Sequence, residues 1–364
     1  MNRHSCLVIV VLVLGGALVG CDPSTKLADP QVAASIKQTL ENNLFQLPPR
    51  VQGHYGIRLY RITGDNKYLY AALYDYFVVA DRLHSIEPYL KDQAYIKNAA
   101  KKRTMALSSG TRGRLRREAL KQYPEFIFYA GGLLRYSARL DEFGASIPES
   151  VIKALQAYDF LPGLTDKKMI RAWAPQLANY VYWLRQLGIA DHTKAYKQAF
   201  LRAYPDSEDH TLSRWHFRNK LYGLTHFILA ASGYYQRYVS TDEYGWILDY
   251  FAQNQQRALT YATDDIVAEM GICFLLMKQY DHPIVSLTKA KLINSFDQDA
   301  RMIPSVSGRL DLATGAHRNV LAYMLLAWPE KLNPGPYFDQ LADVQKYLPR
   351  HHFASPPQEH EDDH

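Results

Sequence analysis

The chain has 364 residues, a formal net charge of +6 at pH 7 and 48% hydrophobic residues, among them 27 Tyr and 14 Phe. This length and composition are typical of a folded globular protein that can build its own core. The surplus of basic residues is too small to indicate nucleic acid as a partner, and three cysteines exclude a disulfide-rich scaffold.

A short apolar segment near the N-terminus predicts a secretory signal peptide. Arg3 precedes residues 7–19, LVIVVLVLGGALV. As a helix this segment would span about 20 Å, which is too short for a typical bilayer crossing. The sequence Leu-Val-Gly-Cys that ends at Cys21 resembles the lipobox of bacterial lipoproteins. The resemblance implies that residues 1–20 are removed and that acylated Cys21 holds the protein on a lipid bilayer. An ordinary secretory peptide and an N-terminal membrane helix are the alternatives.

The same resemblance implies a lipid-anchored protein of the bacterial cell envelope that faces the periplasm. Asp22 favours the inner membrane by the sorting rule of enteric bacteria, and the outer membrane stays open as the alternative. Residues 21–30 predict a polar tether, residues 31–348 one domain without an internal linker, and residues 349–364 a disordered tail. Cys273 lies in an apolar helix and is expected to be buried, without a disulfide partner.

Helical periodicity runs through nearly the whole domain. Apolar residues recur at steps of three and four in residues 221–235 and 321–328, and alternating strand patterns are scarce. The predicted helix 264–280 is apolar nearly all round, which is typical of a helix buried among others. Gly64 suits the C-terminus of one helix and Asp65 the cap of the next. The predicted fold class is therefore all-α.

The segment from residue 59 to 69, LYRITGDNKYL, resembles the turn between helices that recurs in α/α-toroid proteins. The resemblance implies helical hairpins in two concentric rings, complete or incomplete, around a central funnel. A helical-repeat solenoid is the alternative, although no repeat of fixed length is visible. The mature chain also resembles an uncharacterised bacterial lipoprotein family, domain of unknown function 3541, and this resemblance implies no activity.

Three carboxylates at the start of the apolar helix form the first candidate site. Asp265 and Glu269 are four residues apart and share one helix face, and Asp264 is placed to cap the helix. Carboxylates on an apolar helix are costly unless they are solvated or paired. In toroids that act on sugars such acids point into the funnel, so the resemblance implies Asp265 and Glu269 as general acid and base. A capping aspartate and a salt-bridged glutamate are the structural alternative.

A second candidate face lies on the helix that begins near Trp215. Trp215, Asn219, Tyr222 and His226 fall at offsets of 0, 4, 7 and 11 residues and therefore on one side of a helix. Trp215 and Tyr222 are suited to stacking on a sugar ring, and His226 to donating or accepting a proton. The alternative is a core histidine bonded to a backbone carbonyl.

His317 and Arg318 form the third candidate, at the start of a later helix. An arginine in the first turn opposes the helix macrodipole, so an anionic partner is expected. That partner is either a ligand or one of the acids of residues 264–269. No metal-binding or nucleotide-binding motif is present, and we expect neither a metal nor a cofactor.

Two functions of different class remain open from the sequence. In the first, the funnel binds or cleaves a glycan. Its catalytic candidates are Asp265, Glu269 and His226, and its ligand-binding candidates are Trp215, Tyr222, Asp264, His317 and Arg318. In the second, a non-catalytic envelope lipoprotein binds a partner protein, and the basic stretch 112–121 faces that partner or the membrane. Convergence of the acids, His226 and Arg318 around one hollow would favour the first. The sequence does not indicate the oligomeric state.

Overall fold

Residues 29–345 are the part of the chain that the computed structural model describes, and α-helices joined by turns and short 3-10 segments dominate it. The predicted all-α class is confirmed, and extended pairing in this range is confined to an isolated bridge between Asp297 and Met302. The helices up to residue 165 are α1 (Asp29–Asn42), α2 (Pro49–Thr63), α3 (Leu69–His84), α4 (Gln93–Met105), α5 (Thr111–Leu120), α6 (Phe126–Phe128), α7 (Arg135–Glu142), α8 (Glu149–Ala157) and α9 (Leu161–Thr165). The later helices are α10 (Lys167–Gln186), α11 (Thr193–Ala203), α12 (Arg214–Ala231), α13 (Thr241–Gln253), α14 (Gln255–Tyr261), α15 (Asp264–Leu276), α16 (Pro283–Ser295), α17 (Leu312–Leu326) and α18 (Ala342–Gln345).

Local signals in the sequence set several helix ends. α2 is followed by Gly64, which has φ 68° and donates its N–H to the carbonyl of Tyr60, as predicted for a glycine at a helix C-terminus. Asp65 accepts a hydrogen bond from the N–H of Lys67 and starts the 3-10 turn that leads into α3. α1 begins at Asp29, two residues before the predicted start of the domain, with its carboxylate at the positive end of the helix.

Two helical stretches depart from regular α-geometry. A π-helical turn, Tyr129–Leu134, separates α6 from α7, and the change of pitch alters which side chains of α7 face inward. α10 is kinked at Trp173, with φ −130° and ψ 18°, two residues before Pro175. Both departures lie directly before residues that line the central cavity described below.

Packed helix pairs form a closed series in the described part of the chain. α2 packs against α3, α3 against α7, α7 against α10, α10 against α12, α12 against α15, α15 against α17, and α17 again against α2. α1 packs on α17, α11 on α10 and α16 on α15. α15 is buried from Ile266 to Leu276, as its apolar sequence predicts. A closed series of this kind is what a ring of helices requires, and the two-ring toroid stays a prediction.

The predicted membrane anchor falls outside the described residues. The signal peptide 1–20, the lipidation site Cys21 and the tail 349–364 all lie there, as does most of the tether 21–30. Between residues 29 and 345, no helix has the length and apolar character needed to span a bilayer. Cys273 is buried and forms no disulfide, as predicted.

Candidate functional site

A cavity of about 370 Å³ lies where α2, α5, α7, α10, α12, α15 and α17 meet. Its volume falls within the range typical of sites for small ligands. Residues far apart in the chain line it, from Arg50 on α2 to His317 on α17. Only the closed series of helices brings these side chains together.

Three basic side chains of α2 reach the cavity at steps of four residues. Arg50, His54 and Arg58 thus form one face of the helix. Arg58 Nη1 donates to His54 Nδ1 at 2.9 Å and lies 3.2 Å from the carbonyl oxygen of His54, so α2 itself orients this guanidinium. Burial and the neighbouring Arg58 hold the pKa of His54 well below its usual value. α2 therefore presents two cations and a neutral imidazole.

α5 and α7 add further guanidinium groups to the same cavity. Arg112 comes from the first turn of α5, and Arg135 from the first turn of α7. Repulsion by Arg135 is the largest influence on Arg50 and lowers the pKa of that guanidinium. Like charges on α2 and α7 are thus held close together, an arrangement that favours an anion between them.

Arg139, one turn after Arg135, differs from the other arginines of the cavity because it is paired within the protein. Its guanidinium lies 3.4 Å from Asp75 and 2.7 Å from Glu142. No carboxylate of residues 29–345 lies within 4.0 Å of the other four guanidiniums, those of Arg50, Arg58, Arg112 and Arg135. These four, which we call the unpaired arginines, keep their charge available to a ligand.

Asp265 lies in the first turn of α15 and opens to the cavity, with 22% of its side chain exposed. Its carboxylate accepts hydrogen bonds from the hydroxyls of Tyr222 and Thr263, and His317 Nδ1 lies 4.0 Å from Oδ2. Burial alone would raise the pKa of Asp265, but His317 and the two hydrogen bonds outweigh it and lower that pKa. Asp265 is therefore ionised at neutral pH.

Glu269, one turn further along α15, lies at the floor of the cavity with 2% of its side chain exposed. Thr225 Oγ1 donates to Glu269 Oε2 at 2.7 Å. Burial is the main cause that raises the pKa of Glu269 to about 8, and the charge of Asp265 adds to it. Two carboxyl groups on one helix face therefore differ at pH 7: Asp265 is an anion and Glu269 a neutral acid.

His226 of α12 lies beside Glu269. Its Nδ1 is 2.9 Å from Asn179 Oδ1, and because a carbonyl oxygen only accepts, this contact assigns the ring hydrogen to Nδ1. Nε2 then carries the lone pair, 3.9 Å from Glu269 Oε1. Burial, followed by the positive charge of nearby groups, lowers the pKa of His226 to about 3. The histidine is thus neutral and bonded to a side-chain amide, not to the backbone carbonyl that the structural alternative predicts.

Aromatic rings form another part of the cavity wall. Tyr180, Trp183, Tyr222 and Tyr234 all line it, and the rings of Tyr180 and Trp183 have centroids 5.8 Å apart. Tyr234 has φ 54°, a left-handed conformation that side-chain-bearing residues rarely adopt. Its hydroxyl lies 3.4 Å from His226 Nδ1. Strained backbone of this kind concentrates at ligand sites, because the surrounding structure must offset its cost.

The cavity contains five of the predicted site residues: Asp265, Glu269, His226, Tyr222 and His317. Trp215 is not among the residues that line it. Its ring contacts the ring of His216 at 5.0 Å, near the start of α12. Trp215 shares a face with His226 but precedes it by eleven residues, which is about 16 Å along a helix. The predicted face is therefore longer than the cavity.

Asp264 and Arg318 also lie outside the lining of the cavity. Asp264 accepts a hydrogen bond from Ser295 Oγ at 3.1 Å, and Thr263, not Asp264, occupies the N-cap position of α15. Arg318 Nε donates to the carbonyl of Ile303 at 3.3 Å, and none of the predicted acids forms an ion pair with it in residues 29–345. Consecutive residues of a helix point about 100° apart. Because Asp265 and His317 face the cavity, the adjacent Asp264 and Arg318 point away from it.

The arginines of α2 and α7 are functional candidates that were not predicted from the sequence. A signal was present in the spacing, because Arg50, His54 and Arg58 repeat every four residues, as do Arg135 and Arg139. Spacing alone predicts a basic helix face and leaves open whether that face meets solvent or a cavity.

Part of the basic stretch 112–121, including Arg114 and Lys121, is exposed, and its contact with a partner protein or the membrane stays a prediction. Arg112 enters the cavity. Arg116 is buried, lies 4.2 Å from the centroid of the Trp173 ring and donates to Gln176 Oε1. The stretch therefore contributes Arg112 to the site and Arg116 to the packing of α5 on α10.

No group of three or more His, Cys, Asp or Glu side chains in the described range is arranged to hold a metal ion. Comparison with curated proteins and with solved structures found no match. A family described as domain of unknown function (DUF3541) matches residues 29–354, a range that includes every helix around the cavity. The chain therefore belongs to the DUF3541 family.

Proposed function

We propose that this protein is a lipid-anchored envelope protein whose ring of helices, an α/α toroid, binds and cleaves an acidic saccharide in the central cavity. One observation carries the proposal. Four unpaired arginines, an aromatic wall and two carboxyl groups of opposite protonation line the same hollow. Acylated Cys21 would hold that cavity at the membrane surface.

The charge of the cavity supports an anionic ligand. His54, His226 and His317 are neutral at pH 7 because their pKa values are lowered, and the lowered pKa of Asp265 leaves it as an anion. Asp75 and Glu142 offset Arg139 and the buried Arg61, so the four unpaired arginines outnumber Asp265. Planar guanidinium groups bind carboxylate, sulfate or phosphate groups through two parallel hydrogen bonds.

The aromatic wall supports a saccharide over a simple inorganic anion. The rings of Tyr180 and Trp183 offer flat apolar surfaces on which the C–H faces of a pyranose pack, while tyrosine hydroxyls bind its hydroxyl groups. A volume of about 370 Å³ also exceeds what one small anion fills.

Asp265 and Glu269 supply the pair of groups that hydrolysis of a glycosidic bond requires. Glu269 would give its proton to the leaving glycosidic oxygen, while Asp265 takes a proton from the water whose oxygen bonds to the anomeric carbon. The pKa of about 8 keeps the proton on Glu269 at neutral pH, so the rate of cleavage should fall as the pH rises above about 8. We expect Glu269→Gln to lower the rate at least a hundredfold with binding retained.

The test is a glycan-binding screen with the full-length protein in nanodiscs. Oligosaccharides that carry uronate, sulfate or muramyl carboxyl groups are compared with neutral oligosaccharides of equal length. We expect acidic members alone to bind, and Arg135→Gln to weaken binding at least tenfold. Arg202→Gln, at an exposed position of α11 away from the cavity, is the matched control. Equal binding of neutral sugars, or equal effects of both substitutions, would contradict the proposal.

A further inference from the structure

A second, smaller hollow opens beside the arginine-lined cavity, between α2 and α17. Its volume is about 260 Å³. Arg50, His54 and His317 line both hollows, so the two are adjacent along the seam of these helices. We call the smaller hollow the apolar groove, because its remaining lining is mainly Val51, Tyr55, Ala313, Ala316 and Val320.

Adjacent side chains of α2 face different surfaces, so the charged residues and the apolar residues of this helix are kept apart. Arg50 and His54 point to the boundary, and the residues directly after them, Val51 and Tyr55, face the groove. On α17, His317 stands at the same boundary with 42% of its side chain exposed. A ligand that places its anionic group beside Arg50 therefore has an apolar surface within reach of the same molecule.

We propose that the ligand is amphiphilic: an acidic saccharide that carries an alkyl or acyl group, with the charged part among the unpaired arginines and the apolar part in the groove. This inference rests on the proposed function. The shared position of Arg50 and charge complementarity identify the occupant, since an anion bound by Arg50 places an attached apolar group beside the groove. A free apolar molecule would gain nothing from the arginines, and a purely polar saccharide would leave the groove in contact with water.

The experiment uses methyl glucuronide and hexyl glucuronide, which differ only in the length of the alkyl group. Binding to the full-length protein in nanodiscs of neutral phospholipid is measured by calorimetry, and the signal of empty nanodiscs is subtracted. We expect hexyl glucuronide to bind at least tenfold more tightly, because its chain leaves water for the groove.

Ala313→Phe fills the groove without changing charge. Ala94→Phe is a matched control, because Ala94 and Ala313 both lie in the first turn of a helix and both donate their N–H to a capping aspartate, Asp92 and Asp311. We expect Ala313→Phe to reduce the advantage of the hexyl group to less than threefold and to leave methyl glucuronide binding within twofold. Ala94→Phe should change neither affinity.

The outcomes separate this inference from the proposal on which it rests. If methyl glucuronide binds and the hexyl group adds nothing, or if its advantage survives Ala313→Phe, the groove is not the site of an apolar substituent and only this inference is overturned. If neither glucuronide binds, the acidic-saccharide proposal itself fails, and the inference fails with it.

Discussion

Two charged clusters in this protein differ in the pairing of their basic side chains. In the first, Lys220 Nζ lies 2.6 Å from Asp206 and 2.7 Å from Asp209, with only 1% of the lysine side chain exposed. Tyr250 donates to the second oxygen of Asp209 at 2.6 Å, so both ends of the pair are satisfied. This cluster has no capacity left for a ligand and acts as structure.

The cavity is the opposite case. Four guanidiniums lie there without a carboxylate within 4.0 Å in residues 29–345, and one of them lowers the pKa of another. Breaking a satisfied buried pair strands a charge and is costly, whereas removing one of several like charges relieves repulsion. The comparison teaches that a basic group satisfied by carboxylates within the protein acts as structure, whereas one without such a partner keeps its charge for a ligand.

Lys220→Met gives the largest expected effect on stability. It keeps most of the side-chain volume but leaves Asp209, with 7% of its side chain exposed, without its cation. We expect the free energy of unfolding to fall by about 3–5 kcal/mol in urea titrations. Lys153→Met, which breaks an exposed pair with Glu149, is the control and should cost less than about 1 kcal/mol. Equal losses would remove the distinction between paired and solvated charges.

Arg139→Gln tests the comparison inside the cavity itself. This change deprives Asp75 and Glu142 of the guanidinium that both contact. We expect a loss of about 2–3 kcal/mol of unfolding free energy, because Glu142 loses a charged hydrogen bond and the buried Asp75 loses its ion-pair partner. Arg135→Gln, one turn away and unpaired, should lose less than about 0.5 kcal/mol. A larger loss for Arg135→Gln would show that this arginine has a structural partner.

Glu269→Gln sharpens the assignment of the neutral acid. The pKa of Glu269 is raised from the usual 4.5 to about 8, so the folded state binds a proton that the unfolded state has released. The free energy of unfolding should therefore fall as pH rises from 6.5 to 8, by up to about 1.4 kcal/mol per unit. His54, His226 and His317 have lowered pKa values and give a slope of the opposite sign up to about pH 7.5, but they act equally in both proteins and cancel in the difference between them. The Gln variant should lose this slope, and an identical slope in both proteins would contradict the protonated state.

Arg50→Gln has the smallest expected effect on stability and the opposite sign. Because Arg135 repels Arg50, removing one charge should raise the unfolding free energy by up to about 0.5 kcal/mol at low ionic strength. The gain should disappear in 1 M salt, where the Debye length is about 3 Å. A loss of stability at low salt would show that Arg50 is paired in solution.

Much of the fold was predictable from local patterns. The apolar period of three and four predicts helices, and the left-handed Gly64 ends α2 as expected. The continuous apolar character of residues 266–276 predicts a helix buried on all sides, and α15 is such a helix. The π-helical turn at Tyr129–Leu134 was not predictable, because a single added residue per turn leaves little trace in the pattern.

The candidate site was predictable only in part. Helix geometry places Asp265 and Glu269 on one face from their spacing alone, and the cavity contains both. The same rule includes Trp215 with His226, although the cavity ends before the tryptophan. Periodicity predicts which residues share a face of one helix. It does not predict which part of that face lines a cavity, because the neighbouring helices decide that.

The sequence by itself determined the helices, their buried faces and the placement of Asp265 and Glu269 on one face of α15. These features depend on residues only a few positions apart. Tertiary structure decided which basic faces turn inward, that Asp265 ionises while Glu269 keeps its proton, and that Arg139 is paired while Arg135 is not. Those properties depend on burial and on nearby charges. The helices bring these charges together from positions as far apart in the chain as Arg50 and His317. Burial and charge act through space at distances of a few ångströms, and separation along the chain does not encode them.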